Sequence, residues 1–223
     1  MTANPTGRDV SSFVKEAKRR IAAMVELPHG VYMVFSGTAE ESAAAQRELA
    51  LHSGLAGVGI VLLLSMAFGG RRNLLLVLAN IPFAMVGGIF AVFASRWLLG
   101  SSGLTLGSLV GFVTLFGITM RNSIMLVSHF DHLVNNEGVP WSLETAIRGA
   151  SDRVVPILMT ALVTGLGLLP LALGAGSPGR EIEGPMAIVI LGGLLTSTAL
   201  NLLVLPTLAH RYGHFGAPGR RPD

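Results

Sequence analysis

The chain of 223 residues has no cysteine, only two lysines and few charges of either sign, 13% of its residues being Asp, Glu, Lys or Arg. Without cysteine there is no disulfide framework, no thiolate metal site and no cysteine nucleophile. Soluble domains carry about a quarter charged residues, so this shortage excludes an ordinary water-soluble domain. The charge is also uneven. Both lysines, Lys15 and Lys18, fall in the first 50 residues, and long stretches afterwards carry almost no charge. The formal net charge of +3 therefore implies no nucleic-acid partner, because the later arginines stand between apolar runs. No phosphate loop, HExxH motif or Ser-His-Asp arrangement is present, so nothing points to an enzyme or to a bound cofactor. The first 25 residues lack the continuous apolar core of a signal peptide.

What is abundant is apolar sequence: 51% of the residues are hydrophobic and the mean hydropathy is +0.61. Five segments, residues 51–68, 73–95, 104–130, 153–173 and 184–209, are about the 20 residues needed to cross a bilayer as helices. Lipid offers the backbone no hydrogen-bond partners, and the runs do not alternate as barrel strands do, so the expected fold is an all-α five-helix transmembrane bundle. Arginines 71, 72, 148, 153, 211, 220 and 221 all fall on one side of such a bundle. By the positive-inside rule that side is cytoplasmic, which places the C-terminus inside and the N-terminus outside.

Residues 1–50 read as a short extracytoplasmic α/β segment. Asp9 to Ser12 can open a helix with Phe13, Ala17, Ile21 and Met24 at helical spacing, and Val31–Phe35 reads as a strand between Gly30 and Gly37. One helix and one strand are too little to bury a core, so the segment resembles a piece of a larger domain. Residues 136–152 read as an amphipathic helix on the cytoplasmic surface, or alternatively as a partner-binding helix. Residues 213–223 read as a disordered tail.

One formal charge, Arg121, lies deep within a span. A cation at helix centre costs about 2.5–3.5 kcal/mol on translocon scales, so Arg121 is expected to face a protein interior or a hydrated cavity with an anion nearby. Gly107, Thr114, Gly117, Arg121 and Ser128 share a stripe, with Asn122 beside it. Arg121 is either a structural ion-pair partner or a member of an ion-coupling site. Gly107, Gly117, Gly192 and Gly193 read as helix-packing positions, and Thr160, Thr164, the Thr196-Ser197-Thr198 run and Asn201 as polar positions between helices. His129 and His132, beside Asp131, have no third metal ligand and read as a solvated interfacial cluster, with no metal site.

Five segments, GRDVSSFVKEAKRRIAAMVELPHGVYMVFSG, IPFAMVGGIFAV, GFVTLFGITMRNSIMLVSHFDHL, RGASDRVVPILMTALVTGLGLLPLALG and GREIEGPMAIVILGGLLTSTALNLLVLP, together resemble the last quarter of a permease of the resistance-nodulation-division (RND) superfamily, specifically its CusA/CzcA-type heavy-metal efflux branch. The resemblance covers about residues 4–212 and the order of elements: the end of a periplasmic domain, then the eighth to twelfth membrane helices. It implies a trimeric bacterial inner-membrane proton antiporter that exports cations toward a periplasmic adaptor and an outer-membrane channel.

In such families the tenth helix contributes a charged residue to the proton relay, and Arg121 matches it, with Asn122 adjacent. Thr160 matches the threonine of the eleventh-helix pattern, here Val155-Pro156-Ile157-Leu158-Met159-Thr160. Ile157 stands where certain copper and silver exporters have lysine, which argues against that specificity. Arginine stays protonated in proteins, so its expected role is to hold a partner carboxylate ionised rather than to carry the proton. The relay carboxylates belong to the family's fourth helix, which this chain lacks. The resulting expectation is a C-terminal portion inactive alone, with a half of a split transporter, or a small subunit assembling with a full permease, as alternatives.

Overall fold

A computed structural model of the chain describes residues 10–24, 38–68, 71–99, 104–177, 179–213 and 215. The described residues form seven helices: α1 (Val10–Met24), α2 (Thr38–Ala67), α3 (Arg71–Leu99), α4 (Leu106–Asn135), α5 (Leu143–Leu173), α6 (Glu183–Leu203) and α7 (Leu205–Tyr212). The expected strand at 31–35 lies outside the described residues. Contacts divide the chain into two units, Met1–Gly54 and Leu55–Asp223. In the first, α1 carries an Arg20–Glu16 ion pair of 2.6 Å one turn apart. In α2, His52 Nδ1 lies 2.9 Å from the Glu48 carbonyl.

Among the described residues, five helices are long and apolar enough to cross a membrane: Ala44–Met66 within α2, Arg71–Trp97 within α3, then α4, α5 and α6. The protein is therefore an all-α, multi-pass membrane bundle, with α3, α4 and α6 packed together at its centre. Glycines let α3 and α6 touch backbone to backbone. A Cβ on Gly87 would lie 2.7 Å from the Gly192 carbonyl oxygen, and one on Gly192 would lie 2.8 Å from the Gly87 carbonyl. Membrane helices gain little from apolar burial between them, so such close approach is a principal source of their cohesion. At the neighbouring positions, a Cβ on Gly193 would collide with the Leu115 side chain of α4, and one on Gly88 would meet Phe112 at 2.8 Å.

Caps define the loops. Thr105 caps α4 and exchanges a capping box with Ser108, while Ser142 caps α5 through the Thr145 amide at 3.2 Å. Between α4 and α5 the chain reverses through Gly138, whose φ of +69° costs a glycine little.

Three boundaries differ from expectation. The segment 136–152 is not a separate surface helix: its first seven residues form the loop, and from Leu143 it continues unbroken into the fourth span. Nothing in Leu143–Val155 breaks a helix, and Ala146, Gly149 and Ala150 are buried, Gly149 against Phe130 and Leu133 of α4. The last span is two helices, with a break at Val204. Pro206 has no N–H to give the Leu202 carbonyl, which ends the ladder there. The tail does not begin at 213, because Phe215 is buried. Its ring lies 4.3 Å from Trp141 and 5.8 Å from Phe130, centroid to centroid, in tilted and edge-on geometries that favour aromatic pairing.

Candidate functional site

The site is built on α4, which is polar on two faces. The inward face carries Ser108, Thr119, Asn122 and Ser123, all buried. Here α3 and α6 each supply an asparagine. Asn80 Nδ2 donates to Ser123 Oγ at 2.7 Å and lies 2.7 Å from Asn201 Oδ1. Ser123 Oγ also lies 3.2 Å from Asn201 Oδ1 and 3.0 Å from the Thr119 carbonyl. Asn201 Nδ2 in turn reaches Ser197 Oγ at 3.4 Å. Three helices are thus tied by one buried polar cluster. Interhelical hydrogen bonds of this kind average about 0.6 kcal/mol in membrane proteins and reach about 1.7.

The outward face carries the stripe seen in the sequence. Thr114, Gly117, Arg121 and Ser128 are all exposed. Thr114 Oγ1 turns back to the Val110 carbonyl at 2.9 Å. A Cβ on Gly117 would meet nothing within 4 Å. Gly107 departs from the stripe: it is buried against Ile182 at the start of α6.

Arg121 therefore does not face the interior of this chain, as its cost in lipid would require. Among the described residues no carboxylate pairs with it. The reason is rotational: α3 and α6 take the face with Asn122 and Ser123, and Arg121 is turned to the other side. Asn122, 5% exposed, consequently does not join Arg121 at one surface. Among the described residues its Nδ2 has no hydrogen-bond partner, nor do Thr119 Oγ1 and Thr198 Oγ1.

Thr160, near the middle of α5, is exposed like Arg121, and its hydroxyl donates to the Pro156 carbonyl at 2.9 Å. Gly192 sits at the α3–α6 crossing and Gly193 against Leu115 of α4, whereas a Cβ on Gly117 would meet no other helix among the described residues. At the arginine-rich end the histidines resolve into pairs: His129 Nε2 lies 3.2 Å from Asp152 Oδ2, tying α4 to α5, and His132 Nδ1 lies 3.7 Å from Glu137. Asp131 accepts from Asn135 at 2.9 Å. Sequence reasoning missed Asn80 and Ser123. The available signal was the spacing of Asn73, Asn80 and Ser95 with Gly87 and Gly88, which marks one face of α3 as buried.

Comparison with known proteins places this geometry. Residues 1–210 match the model of the AcrB/AcrD/AcrF family. The chain is 39% identical over 226 residues to the cobalt-zinc-cadmium resistance protein CzcA of Cupriavidus metallidurans, covering 100% of this chain and 20% of that protein. It is 40% identical over 208 residues to protein HelA of Legionella pneumophila, covering 93% of this chain and 19% of HelA. The cation efflux system protein CusA of Escherichia coli is 31% identical over 210 residues, 89% of this chain and 19% of CusA. Among solved structures, a heavy metal efflux pump superposes with a TM-score of 0.71 at 36% identity, over 94% of this chain and 20% of the pump. The chain thus spans about a fifth of the length of the relatives it matches. With the family model covering nearly all of its residues and the bundle superposing on a pump of the same kind, the chain belongs to the AcrB/AcrD/AcrF family of the RND superfamily.

Proposed function

We propose that this chain is the C-terminal membrane portion of a proton-driven heavy-metal cation exporter, and that the outward face of α4 is its coupling surface. The observation that carries this is Arg121, exposed at the middle of a 30-residue apolar helix whose other face is fully packed. Lipid is a costly neighbour for a guanidinium, so this face is built for other protein or for water. Thr114, Gly117 and Ser128 on the same stripe permit close approach of a further helix. Arg121 there holds a carboxylate of that helix ionised; when the carboxylate takes a proton the ion pair is released, and the helices are free to shift. Thr160 on α5 supplies a neutral hydroxyl to the same machinery, and Asn122 positions α4 from behind. The names of the relatives, cobalt-zinc-cadmium resistance and cation efflux, support a metal cation as cargo.

In this reading the arginine-rich ends of α3, α5 and α7 are cytoplasmic and residues 1–50 are periplasmic. The complete permease works as a homotrimer in the bacterial inner membrane with an adaptor and an outer-membrane channel. Alternating access needs two repeats around a site, so the five helices alone transport nothing.

The test is a permease of this family carrying these helices in place of its own, assayed in inverted vesicles for metal-dependent proton flux. Flux is expected with Arg121 present, and its loss in Arg121→Ala at unchanged membrane insertion. Wild-type flux in Arg121→Ala would overturn the coupling role. Flux from this chain alone would overturn the need for a second repeat.

A further inference from the structure

At the arginine-rich end, α3 and α7 leave a cleft of about 440 Å³ between them. Arg72, Leu75, Leu76 and Ala79 line it from α3 at spacings that share one helix face, and Leu208, Arg211 and Tyr212 do so from α7. Both walls have the same polarity along their length. The guanidiniums stand at the outer end and the apolar side chains deeper in, Ala79 lying about 10 Å along the helix from Arg72 at ~1.5 Å per residue.

We infer that this cleft binds an anionic phospholipid of the adjoining leaflet, with the phosphate between Arg72 and Arg211 and an acyl chain against Leu75, Ala79 and Leu208. Three observations support it. Among the described residues neither arginine is paired with a carboxylate, and no acidic residue lines the cleft, so two cations flank it uncompensated. The Arg211 guanidinium lies 5.8 Å from the Tyr212 ring centroid, which steadies its planar fork. Guanidinium forks match phosphate oxygens, and an amphipathic aromatic ring suits the headgroup level. Finally, Arg71 and Arg72 open α3, where the helix dipole disfavours cations, so helix stability does not explain them. The positive-inside rule accounts for charge at this end, but it does not account for an apolar cleft running inward from that charge.

A free phosphate would use the arginines alone, whereas a lipid uses the apolar wall as well, and this difference makes the proposal testable. The purified chain in neutral detergent is titrated with phosphatidylglycerol, phosphatidylcholine or inorganic phosphate, and adducts are counted by native mass spectrometry. Phosphatidylglycerol is expected to bind in preference to phosphatidylcholine, and Arg72→Gln with Arg211→Gln to weaken it on the order of 25-fold, each interfacial arginine contributing about fivefold. Arg71→Gln, the same charge change outside the cleft, is expected to leave binding near wild type. Ala79→Trp, which fills the apolar wall without touching charge, is expected to displace the lipid. Equal losses from Arg71→Gln and Arg72→Gln would mean diffuse surface charge and overturn the site. Competition by inorganic phosphate, or full binding by Ala79→Trp, would overturn the lipid as occupant. Circular dichroism of each variant separates lost binding from lost fold.

Discussion

Asn80 on α3 and Asn201 on α6 meet across 2.7 Å in the buried centre of the bundle, 121 residues apart in sequence. Ser123 of α4 completes the contact, so the rotation of three helices is set by one group of side chains. Replacing Asn80 by the similarly sized Leu leaves Ser123 and Asn201 with fewer partners. The expected loss is about 1–3 kcal/mol, the cost of an unsatisfied buried polar group. Asn80→Leu with Asn201→Leu should cost less than the sum of the single changes, because the second removes a group the first left unpaired. Reversible unfolding in detergent micelles measures all three; strict additivity would mean that the two asparagines do not act as a pair.

The glycines divide into two classes with opposite expectations. Gly192→Leu drives a side chain into Ala91 and the Gly87 carbonyl, and should destabilise the isolated chain by about 1–3 kcal/mol or more. Gly117→Leu meets open space and should change the stability of the isolated chain by less than about 0.5 kcal/mol. The same Gly117→Leu change should abolish activity in the family chimera, because it blocks the face proposed to receive another helix. Full transport by that variant would remove Gly117 from the interface.

Arg121 makes the chain harder to insert than its apolar content implies. Arg121→Leu should favour insertion of α4 by roughly 3 kcal/mol in a translocon glycosylation assay. In the chimera Arg121→Lys should retain part of the proton-coupled flux, since a point charge remains while the bidentate geometry is lost. Thr160→Ala should be milder than Arg121→Ala, because it removes a neutral group whose net worth is about 1 kcal/mol. A Thr160→Ala defect as deep as that of Arg121→Ala would place both residues on one proton path.

Topology is open to direct test. Reporter fusions in the α4–α5 loop after Glu137 and at the end of α7 after Arg211 should both read cytoplasmic, and one after Ser177 periplasmic. The reverse pattern would invert the bundle and move the arginine-rich end outside.

The membrane spans and the unusual charge were legible because both are local properties: an apolar run has a length, and a lone arginine stands out within it. The rotation of α4 was not. Arg121 and Asn122 are neighbours in sequence, and α4 has a polar stripe on either side, so its own pattern cannot decide which side the chain packs against. That choice is made by Asn80 and Asn201 on two other helices. Asn80 was inconspicuous because a single asparagine in NLLLVLANIPFAMV forms no polar stripe of its own. Residues 136–152 read as a separate surface helix because their charges resemble those of a loop, yet from Leu143 the helix runs on unbroken into the membrane span. Phe215 was hidden by its setting among glycines, since only the fold brings Phe130 and Trp141 to it.

The 31 residues of α5 form one rod of about 46 Å at ~1.5 Å per residue, against a hydrocarbon layer of about 30 Å. Its first turns therefore stand outside the lipid while Thr160 sits within it. Pro156, one turn before Thr160, has no N–H to give the Asp152 carbonyl, so the first turns can bend there against the rest of the helix. A spin label or fluorophore at Glu144 would thus register bending at Pro156 from the water side, without disturbing the membrane interior. Because the chain contains no cysteine, a single cysteine placed at that position is the only attachment point for the label.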